Sequence, residues 1–495
     1  MQKILVLIAT LSLLAGCGGG SSGSSFTSSS SSSSGGSSSS SSSSGSGGSS
    51  SSSSSSSGGS TSTNNNVAAV YVDQGPAAYT AANYASVDTL FVTVTVCVPG
   101  FTDSTHCQTI DHVQVDTGST GLRIIQSQVL TLPVGTTGGL QYAQASGGGV
   151  LAECMQYVDG SAWGPIVTAD LYVGGAGSAG NGEKAAGIPM QVIGTGAYPM
   201  PTSGCPGPAE NTVVTFGANG IIGVGSFQQD CGVCCTPEYS AVGCVNSSDQ
   251  VSNAGFYYSC SSPSSCAVTT ATLAQQVSNP ISSFATDNNG AVISLPAVGS
   301  AGAATVNGTL TFGINTETNN TAPNTLTTLW LDPYYGEFST TFIGQTLSSS
   351  YIDSGSNALY FPDSNIPTCG SNTVAPGFYC PASTELQSAT LVSYSGSGAG
   401  AGGTTGTTVN FSVASATTLF NTSTINAAFN NLAAPASAGS TTTTSSSTTN
   451  TFDWGLPFFF GLNVYTSIQP SPPTETSPPT ASPYIAFQAN SGVLN

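Results

Sequence analysis

Apolar and small polar residues alternate along much of the chain after residue 66, and this pattern predicts β-strands. The clearest run, LFVTVTVCV at 90–98, has the two-residue period of a half-buried strand. Similar runs occur at Val113–Val115, Gly187–Ile193, Ala291–Leu295 and Thr309–Ile314. One of the few helical turns that the pattern favours is TLAQQVS at 272–278. We therefore expect an all-β chain with two lobes rather than one very large sheet.

The amino terminus has the pattern of an export signal instead. An apolar run from Ile4 to Leu14 follows a short positive start and is too short to span a bilayer as a helix. The sequence LAGC at 14–17 resembles a bacterial lipobox, in which the peptide is cut before the Cys and the thiol is lipidated. We expect residues 1–17 to be a lipoprotein signal peptide and Cys17 to attach the chain to the membrane. An ordinary signal peptide with a chance Cys is the alternative.

Residues 18–66 are almost entirely Ser and Gly. Such a segment has no core-forming pattern, so we expect a disordered tether between the lipid and the fold. Gly18 follows the Cys, and by resemblance to enterobacterial lipoproteins this favours the outer membrane. We therefore expect a lipid-anchored protein of the bacterial cell envelope, on either face of that membrane.

Charge is scarce, and its scarcity excludes two classes of partner. Only 5% of the 495 residues are charged, and the basic ones are Lys3, Arg123 and Lys184 against 22 acidic residues. A surface that binds phosphates needs clustered Lys and Arg, so nucleic-acid binding is excluded, as is adhesion to a membrane through a polybasic face. The 61 glycines and 27 prolines add many turns, which is typical of a secreted, β-rich protein.

Thirteen cysteines also indicate export. Assigning Cys17 to lipid leaves twelve, an even number that predicts disulfides in an oxidising compartment. We expect the sequence-local pairs Cys97–Cys107 and Cys369–Cys380, and further bridges that staple an insertion between Cys205 and Cys266. The cluster CGVCC at 231–235 could in principle hold zinc. Because the chain has only two histidines and an oxidising compartment, we expect no metal and no cofactor.

A short motif occurs twice, each time after an apolar strand. VDTGS at 115–119 and IDSGS at 352–356 share the form hydrophobe-Asp-hydroxyl-Gly-Ser. Two carboxyls within hydrogen-bonding distance share a proton, so one serves as general base toward water and the other as general acid. We expect Asp116 and Asp353 to lie within such reach, with glycines that let the loops turn tightly and approach. The supporting residues that we expect are Thr117, Gly118, Ser119, Ser354, Gly355 and Ser356.

The chain resembles the pepsin-like aspartic peptidases, and more closely a family of bacterial lipoproteins of unknown function. The second resemblance is carried by VDTGSTGLRI, GANGIIGVGSF, FATDNNG and FDWGLPFFFG, which begin at residues 115, 217, 284 and 452. The resemblance implies a bilobal, all-β, pepsin-like fold, with lobes at 67–302 and 303–495 and a cleft between them. Asp116 and Asp353 are then the catalytic carboxyls that face each other across this cleft.

The resemblance extends to the surroundings of the motif. YVDGS at 157–161 is similar to the flap whose Tyr closes over the substrate, so Tyr157 is the expected flap residue. Arg123, Gly160 and Ser161 are the residues that it implies along the substrate cleft. Arg123 stands where the family typically has a Trp. It either lowers the pKa of the carboxyl pair or points away and pairs with an acid at the lobe surface.

Two functions fit these features. The resemblance implies an endopeptidase that cleaves extended peptides or proteins at the cell surface or in the periplasm. The alternative is a catalytically silent binding or scaffold lipoprotein that keeps the cleft for recognition. Ser catalysis is disfavoured because the two histidines, His106 and His112, are not accompanied by a G-x-S-x-G elbow. Since both Asp and all four supporting hydroxyls are present, the sequence favours the peptidase, and we expect it to be a monomer.

Overall fold

The computed structural model describes residues 65–126, 129–174, 182–201, 205–237, 245–246, 249–250, 256–395, 406–436, 450–470 and 481–490. The chain is all-β, as its pattern predicts, with 42% of residues in strands and 9% in helices. The described residues belong to one compact unit that spans 62–495. The expected signal peptide, Cys17 and nearly all of the expected tether lie outside the described residues.

The end of the expected tether needs a correction. Asn66 was assigned to it, but the side chain is only 1% exposed and its Nδ2 donates to the carbonyl of Phe312 at 3.1 Å. Asn66 therefore belongs to the fold, because its buried amide is hydrogen-bonded to a strand. The Ser/Gly pattern of the preceding segment gives no indication of this partner.

The strands cover most of the described chain. They are β1 (Val67–Val72), β2 (Leu90–Cys97), β3 (Cys107–Asp116), β4 (Thr120–Ile125), β5 (Gln141–Tyr142), β6 (Val150–Gln156), β7 (Ser161–Val173), β8 (Glu183–Ile193), β9 (Gly220–Val224), β10 (Val245–Asn246), β11 (Asp249–Gln250), β12 (Tyr257–Ser262), β13 (Ser265–Val268), β14 (Gly290–Ser294), β15 (Val306–Phe312), β16 (Thr327–Trp330), β17 (Phe338–Phe342), β18 (Gln345–Ile352), β19 (Leu359–Tyr360), β20 (Glu385–Val392), β21 (Thr407–Val413), β22 (Ala433–Ala434), β23 (Asp453–Trp454), β24 (Leu462–Ser467) and β25 (Tyr484–Ala489).

Helices are few and short. The α-helices are α1 (Ala77–Ala81), α2 (Val213–Phe216) and α3 (Ala416–Thr422), and the 3₁₀ segments are Gly232–Cys235, Pro280–Ser283, Thr318–Asn320 and Leu456–Phe459. The segment 272–278 forms a single turn, in which the N–H groups of Gln275 and Gln276 donate to the carbonyl of Thr272, and it does not form a helix. None of the helices in the described ranges is long and apolar enough to cross a bilayer.

Most strands join one 16-stranded sheet. Its order is β13-β12-β6-β7-β8-β4-β9-β3-β2-β1-β15-β14-β24-β25-β16, with β5 paired to β7. β2 also pairs with β7, which closes β2, β3, β9, β4, β8 and β7 into a barrel. The expectation of two lobes rather than one very large sheet needs a correction here, because the pairing of β1 with β15 joins strands from both sides of the expected lobe boundary at 302/303 into this one sheet. A seven-stranded sheet has the order β21-β20-β17-β18-β23-β19-β22, and β10 and β11 form a separate pair.

The same strand arrangement surrounds both copies of the duplicated motif. β3 is parallel to β9, which is antiparallel to β4, which is parallel to β8. In the second copy β18 is parallel to β23, which is antiparallel to β19, which is parallel to β22. Asp116 lies opposite Gly223, and Asp353 follows Ile352, which lies opposite Trp454. The two aspartates therefore leave equivalent strands at equivalent points.

All eleven cysteines in the described ranges take part in disulfides. The other two cysteines of the chain, Cys17 and Cys244, lie outside the described residues. The expected local pairs Cys97–Cys107 and Cys369–Cys380 are confirmed. Two further pairs lie inside the insertion, Cys231–Cys235 and Cys260–Cys266. The expected pairing of Cys205 within the insertion is wrong, because Cys205 pairs with Cys154 in β6. The chain after β8 folds back beside β7, where the N–H of Ser161 donates to the carbonyl of Pro208.

Candidate active site

The two motif aspartates meet at the ends of their strands. Asp116 ends β3, and Asp353 directly follows β18. The backbone N–H of Gly118 donates to Asp116 Oδ1 at 2.7 Å and to Asp353 Oδ1 at 3.1 Å. A single N–H thus contacts one oxygen of each carboxyl, so the two motif aspartates lie together.

Each carboxyl is oriented by residues of its own motif. The N–H of Gly355 donates to Asp353 Oδ1 at 2.7 Å, which repeats the contact between Gly118 and Asp116. The hydroxyl of Ser356 donates to Asp353 Oδ2 at 3.0 Å, and that of Ser119 donates to Asp116 Oδ2. Because equivalent donors bind equivalent oxygens, both carboxylate planes are held in place from two sides.

Two buried hydroxyls lock the loops to each other. Thr117 Oγ1 donates to the carbonyl of Ile352 at 3.1 Å, and Ser354 Oγ donates to the carbonyl of Val115 at 2.8 Å. Each hydroxyl also accepts from the backbone N–H of the other residue, at 2.9 and 3.1 Å. Thr117 is 8% exposed and Ser354 is fully buried. Four hydrogen bonds shielded from water therefore fix the distance between the two carboxyls.

The motif glycines allow the two loops to approach, as expected, but the expected tight turn is not the reason for them. A Cβ on Gly118 would lie 2.6 Å from Cγ of Asp353, and one on Gly355 would lie 2.5 Å from Oδ1 of Asp116. Neither glycine has a positive φ. Any side chain at these positions would push the opposite carboxyl away, so glycine is required for close approach and not for the shape of the turn.

Burial and the neighbouring carboxyls determine which member of the pair keeps the proton. Burial first, then the charges of Asp116 and Asp453, raise the pKa of Asp353 well above its usual range. We therefore place the shared proton on Asp353 at neutral pH. Asp116 is 6% exposed and accepts from the N–H of Gly118 and the hydroxyl of Ser119.

A third carboxyl beside the pair was missed by the sequence reasoning. Asp453 in β23 is 4% exposed and lies opposite Tyr351 of β18, two residues before Asp353. Burial raises the pKa of Asp453 well above its usual range. The only signal in the sequence is an acidic residue inside the apolar run FDWGLPFFF, where a carboxyl is unusual.

Tyr157 lies in the turn of the β6–β7 hairpin, where the flap was expected. Its N–H donates to the carbonyl of Gly160 at 2.8 Å, and its ring packs edge-on against Phe216 at 5.8 Å between centroids. The hydroxyl is buried and has no partner among the described residues. Burial raises the pKa of Tyr157, the charge of Arg123 opposes this, and the charge of Asp116 adds to it. The charges of Arg123 and Asp116 therefore both affect the pKa of the Tyr157 phenol.

Arg123 does not line a cleft, which corrects its expected place. Its side chain is fully buried, and it does not pair at the surface either. The guanidinium donates to Glu153 at 2.6 and 3.2 Å, to Asp230 at 2.8 Å and to the carbonyl of Thr120 at 2.7 Å. A buried charge needs such partners, and they lie 30 and 107 residues away in the sequence.

Gly160 and Ser161 are also buried, so they line no open surface in this structure. Ser161 is 1% exposed, and its hydroxyl donates to the carbonyl of Pro206. A Cβ on Gly160 would lie 2.7 Å from Cγ of Glu210. Glu210 hydrogen-bonds to Asp159 in the turn, and burial and the charge of Asp159 raise the pKa of Glu210 to about 9. A second pair of carboxyls that shares a proton therefore holds the turn that carries Tyr157.

Among the residues that the structure describes, no cluster of His, Cys, Asp and Glu is arranged to hold a metal ion.

The family described as "Protein of unknown function (DUF3443)" matches residues 62–487, a range that includes both motifs, the hairpin of Tyr157 and Arg123. No curated protein matches the chain.

Proposed function

We propose that the chain, which belongs to the DUF3443 family of proteins of unknown function, is an aspartic endopeptidase. The observation that carries the proposal is that the N–H of Gly118 donates to both Asp116 and Asp353, with equivalent donors on each carboxyl. Two carboxyls that share one proton provide a general base and a general acid at the same point. Hydrolysis of an amide needs both.

The proposed reaction returns the pair to its starting protonation state. Asp116 accepts a proton from a water molecule while the water oxygen attacks the peptide carbonyl carbon, and Asp353 gives its proton to the carbonyl oxygen. The resulting tetrahedral diol loses its amine when Asp116 passes its proton to the nitrogen and the C–N bond breaks. Asp353 recovers a proton from a hydroxyl of the diol. One proton remains on Asp353, as before the reaction.

The proposal includes a pepsin-like fold with two related lobes, at 67–302 and 303–495. The repeated arrangement of strands around Asp116 and Asp353 supports it, because a duplicated lobe repeats its strand order as well as its motif. The hairpin that carries Tyr157 beside the pair also supports it. An extended peptide held across the carboxyls under this hairpin is the substrate that such a fold would take.

Lipid attachment at Cys17 and residence in the cell envelope, at the outer membrane, also belong to the proposal. The apolar run, LAGC at 14–17 and the Ser/Gly segment support them. Mass spectrometry of the membrane fraction should find a mature chain that begins with a lipidated Cys17. The variant Cys17→Ser should move the chain out of that fraction. A mature chain that begins at another residue would contradict this part of the proposal.

Activity is tested with the full chain, purified with its disulfides formed and incubated with a mixed peptide library between about pH 3 and pH 7, a window around the usual carboxyl pKa. Cleavage should be strongest in acid and should fade as the pair loses its last proton. Asp116→Asn and Asp353→Asn should each lower kcat/KM at least about 1000-fold, because a single carboxyl cannot act as both base and acid. Asp103→Asn, in a separate exposed turn, is the matched control and should keep its activity.

The alternative function makes a different prediction in the same experiment. A silent binding lipoprotein would cleave nothing at any pH, although it is folded and its disulfides are formed. Equal cleavage by wild type and Asp116→Asn would point to a contaminating peptidase. Either result would overturn the proposed function.

A further inference from the structure

One further side chain crosses from the first copy of the motif to the second. Gln114 lies in β3, two residues before Asp116, and its Nε2 donates to the carbonyl of Gly355 at 2.9 Å. The two residues are 241 positions apart in the sequence. Gln114 stands between Val113 and Val115, which are both fully buried, so its side chain lies on the other face of the strand. The proposed reaction gives this contact no role.

The carbonyl that Gln114 holds lies between the two donors that orient Asp353. The N–H of Gly355 donates to Asp353 Oδ1 at 2.7 Å, and the hydroxyl of Ser356 donates to Asp353 Oδ2 at 3.0 Å. The carbonyl of Gly355 belongs to the peptide group that joins these two residues. Because a peptide group is planar, an anchor on its oxygen fixes the path of the chain from one donor to the next.

Gly355 needs such an anchor because it cannot carry a side chain. A Cβ at this position would lie 2.5 Å from Oδ1 of Asp116, so the opposite carboxyl requires glycine. Glycine also leaves the backbone more conformational freedom than any other residue. The restraint that a side chain would provide must therefore come from outside the loop, and Gln114 provides it.

The neighbours of Gly355 are held by contacts of their own. Ser354 is hydrogen-bonded to Thr117 on the opposite loop. The carbonyl of Ser356 accepts from the N–H of Leu456 at 2.8 Å. The contact with Gln114 holds the glycine between these two anchored residues.

This contact occurs in only one of the two copies. The position equivalent to Gln114, two residues before Asp353, is Tyr351. Within the described ranges no hydrogen-bond donor reaches the carbonyl of Gly118, which is the equivalent of the Gly355 carbonyl. The arrangement is otherwise repeated, so the loop of Asp353 has one additional support.

We propose that Gln114 is a positioning residue of this site, whose side-chain amide holds the carbonyl of Gly355 and thereby keeps the N–H of Gly355 and the hydroxyl of Ser356 directed at Asp353. This inference rests on the proposed function, in which Asp353 is the acid of the pair. Gln114 acts through the loop and not on the reacting atoms. Since hydrogen bonds donated to a carboxyl favour its ionised form, the contact also limits the pH up to which Asp353 holds its proton.

Gln114→Met tests this role in the full chain with its disulfides formed. Met has nearly the length of Gln but no N–H to donate, so the carbonyl of Gly355 loses its anchor. We expect kcat to fall about tenfold, the kinetic equivalent of one hydrogen bond. The upper limb of the pH profile should move to higher pH, because Asp353 is less well supplied with the donors that favour its ionised form.

Gln387→Met is the matched control. Gln387 is a partly buried residue of β20, and its amide donates to Glu385 of the same strand at 3.3 Å. This variant should keep both kcat and the pH profile of the wild type. An unshifted profile in Gln114→Met would overturn the proposal, because a merely structural role lowers the amount of folded protein and leaves the profile of the rest unchanged.

Amide hydrogen exchange separates positioning from a general loosening of the sheet. In Gln114→Met the N–H of Gly355 should exchange about tenfold faster, because its loop has lost one hydrogen bond. The amides of β2 and β9, which flank β3, should exchange as in the wild type. Equal acceleration in β2 and β9 would show that Gln114 only supports the sheet, and it would overturn the proposal.

A third measurement keeps this inference separate from the proposed function. With ¹³C-labelled aspartate carboxyls, NMR titration of the full chain follows the pair without any substrate. Gln114→Met should raise the upper apparent pKa of the pair and Gln387→Met should leave it unchanged. This shift without cleavage by the wild type would contradict the proposed function and support the role of Gln114. Identical titrations of the wild type and Gln114→Met would overturn that role, even if cleavage were found.

Discussion

Arg123 is a buried positive charge in a chain that has few charged residues. Glu153 and Asp230 both contact the guanidinium, and burial, followed by the charge of Glu153, raises the pKa of Asp230 well above its usual range, so we place a proton on Asp230. The cluster is then one cation and one anion, and it is neutral overall. Tyr257 donates to Asp230 Oδ1 at 2.8 Å and so ties β12 to the same cluster. Arg123 therefore anchors the Cys-rich insertion to the barrel.

Removing this cation should destabilise the fold strongly. Arg123→Met leaves one buried negative charge without its partner, and we expect a loss of about 3–5 kcal/mol in the free energy of unfolding. The matched control is Lys184→Met, since Lys184 is 39% exposed and contacts Asp170 at 2.8 Å. That variant should lose at most about 1 kcal/mol. Chemical denaturation measures both, and equal losses would show that the buried cluster is not an anchor.

At the scale of elements, two loops and one hairpin form the candidate site. The loops are joined by Thr117 and Ser354, whose hydroxyls each make two buried hydrogen bonds across the pair. The hairpin turn rests on the contact between Asp159 and Glu210. The first connection does not titrate, whereas the second depends on a proton.

Thr117→Val tests the connection between the loops. Valine has the same shape but leaves the N–H of Ser354 and the carbonyl of Ile352 unpaired, at a cost of about 1–3 kcal/mol for each buried group. The carboxyls would also lose their fixed separation, so kcat should fall together with stability. Thr131→Val is the control because its exposed hydroxyl bonds only to Gln108, and it should change the unfolding free energy by less than about 0.5 kcal/mol. A stable and fully active Thr117→Val would contradict the role of this connection.

Glu210 should make stability depend on pH. Its pKa is raised from 4.5 to about 9 in the folded chain, so between these values the folded state keeps a proton that the unfolded state has lost. Stability should therefore fall as pH rises from about 4.5 to about 9, with a slope of up to about 1.4 kcal/mol per pH unit for one proton.

Two variants test this dependence by denaturation at a series of pH values. Glu210→Gln should remove the contribution of this group and flatten the slope. Asp159→Asn removes only the neighbouring charge and leaves the burial of Glu210, so it should flatten the slope less. If the unfolding free energy of Glu210→Gln depended on pH as steeply as that of the wild type, a group other than Glu210 would be responsible.

At the scale of the whole molecule, disulfides connect distant parts of the chain in a protein with little charge. Cys154–Cys205 closes 51 residues and ties strand β6 to the segment that leads to Glu210. Cys260–Cys266 closes only 6 residues within the β12–β13 hairpin. In the chain-entropy model a bridge stabilises more when it closes a longer loop.

The two bridges should therefore differ when each is removed as a pair. Replacing Cys154 and Cys205 by Ala should lower the free energy of unfolding by about 4 kcal/mol, and replacing Cys260 and Cys266 by about 2 kcal/mol. Denaturation of the two double variants under non-reducing conditions measures the difference. A larger loss from the short loop would show that native contacts, and not chain entropy, dominate here.

The sequence by itself determined the features that depend on neighbours along the chain. The alternating runs at 90–98 and 309–314 predicted strands because side chains point to opposite faces every second residue. Cys97–Cys107 and Cys369–Cys380 were predictable because each pair lies close in sequence. Asp116 and Asp353 could be matched with each other because the motif that holds each one is local and occurs twice.

Only the tertiary structure decided which distant groups became partners. Arg123 faces Asp230 and not the carboxyl pair, Cys205 bonds to Cys154, and Asp453 lies opposite Tyr351 because β18 pairs with β23. Gly118 and Gly355 are needed for space, which becomes visible only when the opposite carboxyl is in place. Strand register and burial set these contacts, and both depend on how the whole chain packs. The position of a charge or a thiol in the sequence does not indicate which distant residue it will contact in the fold.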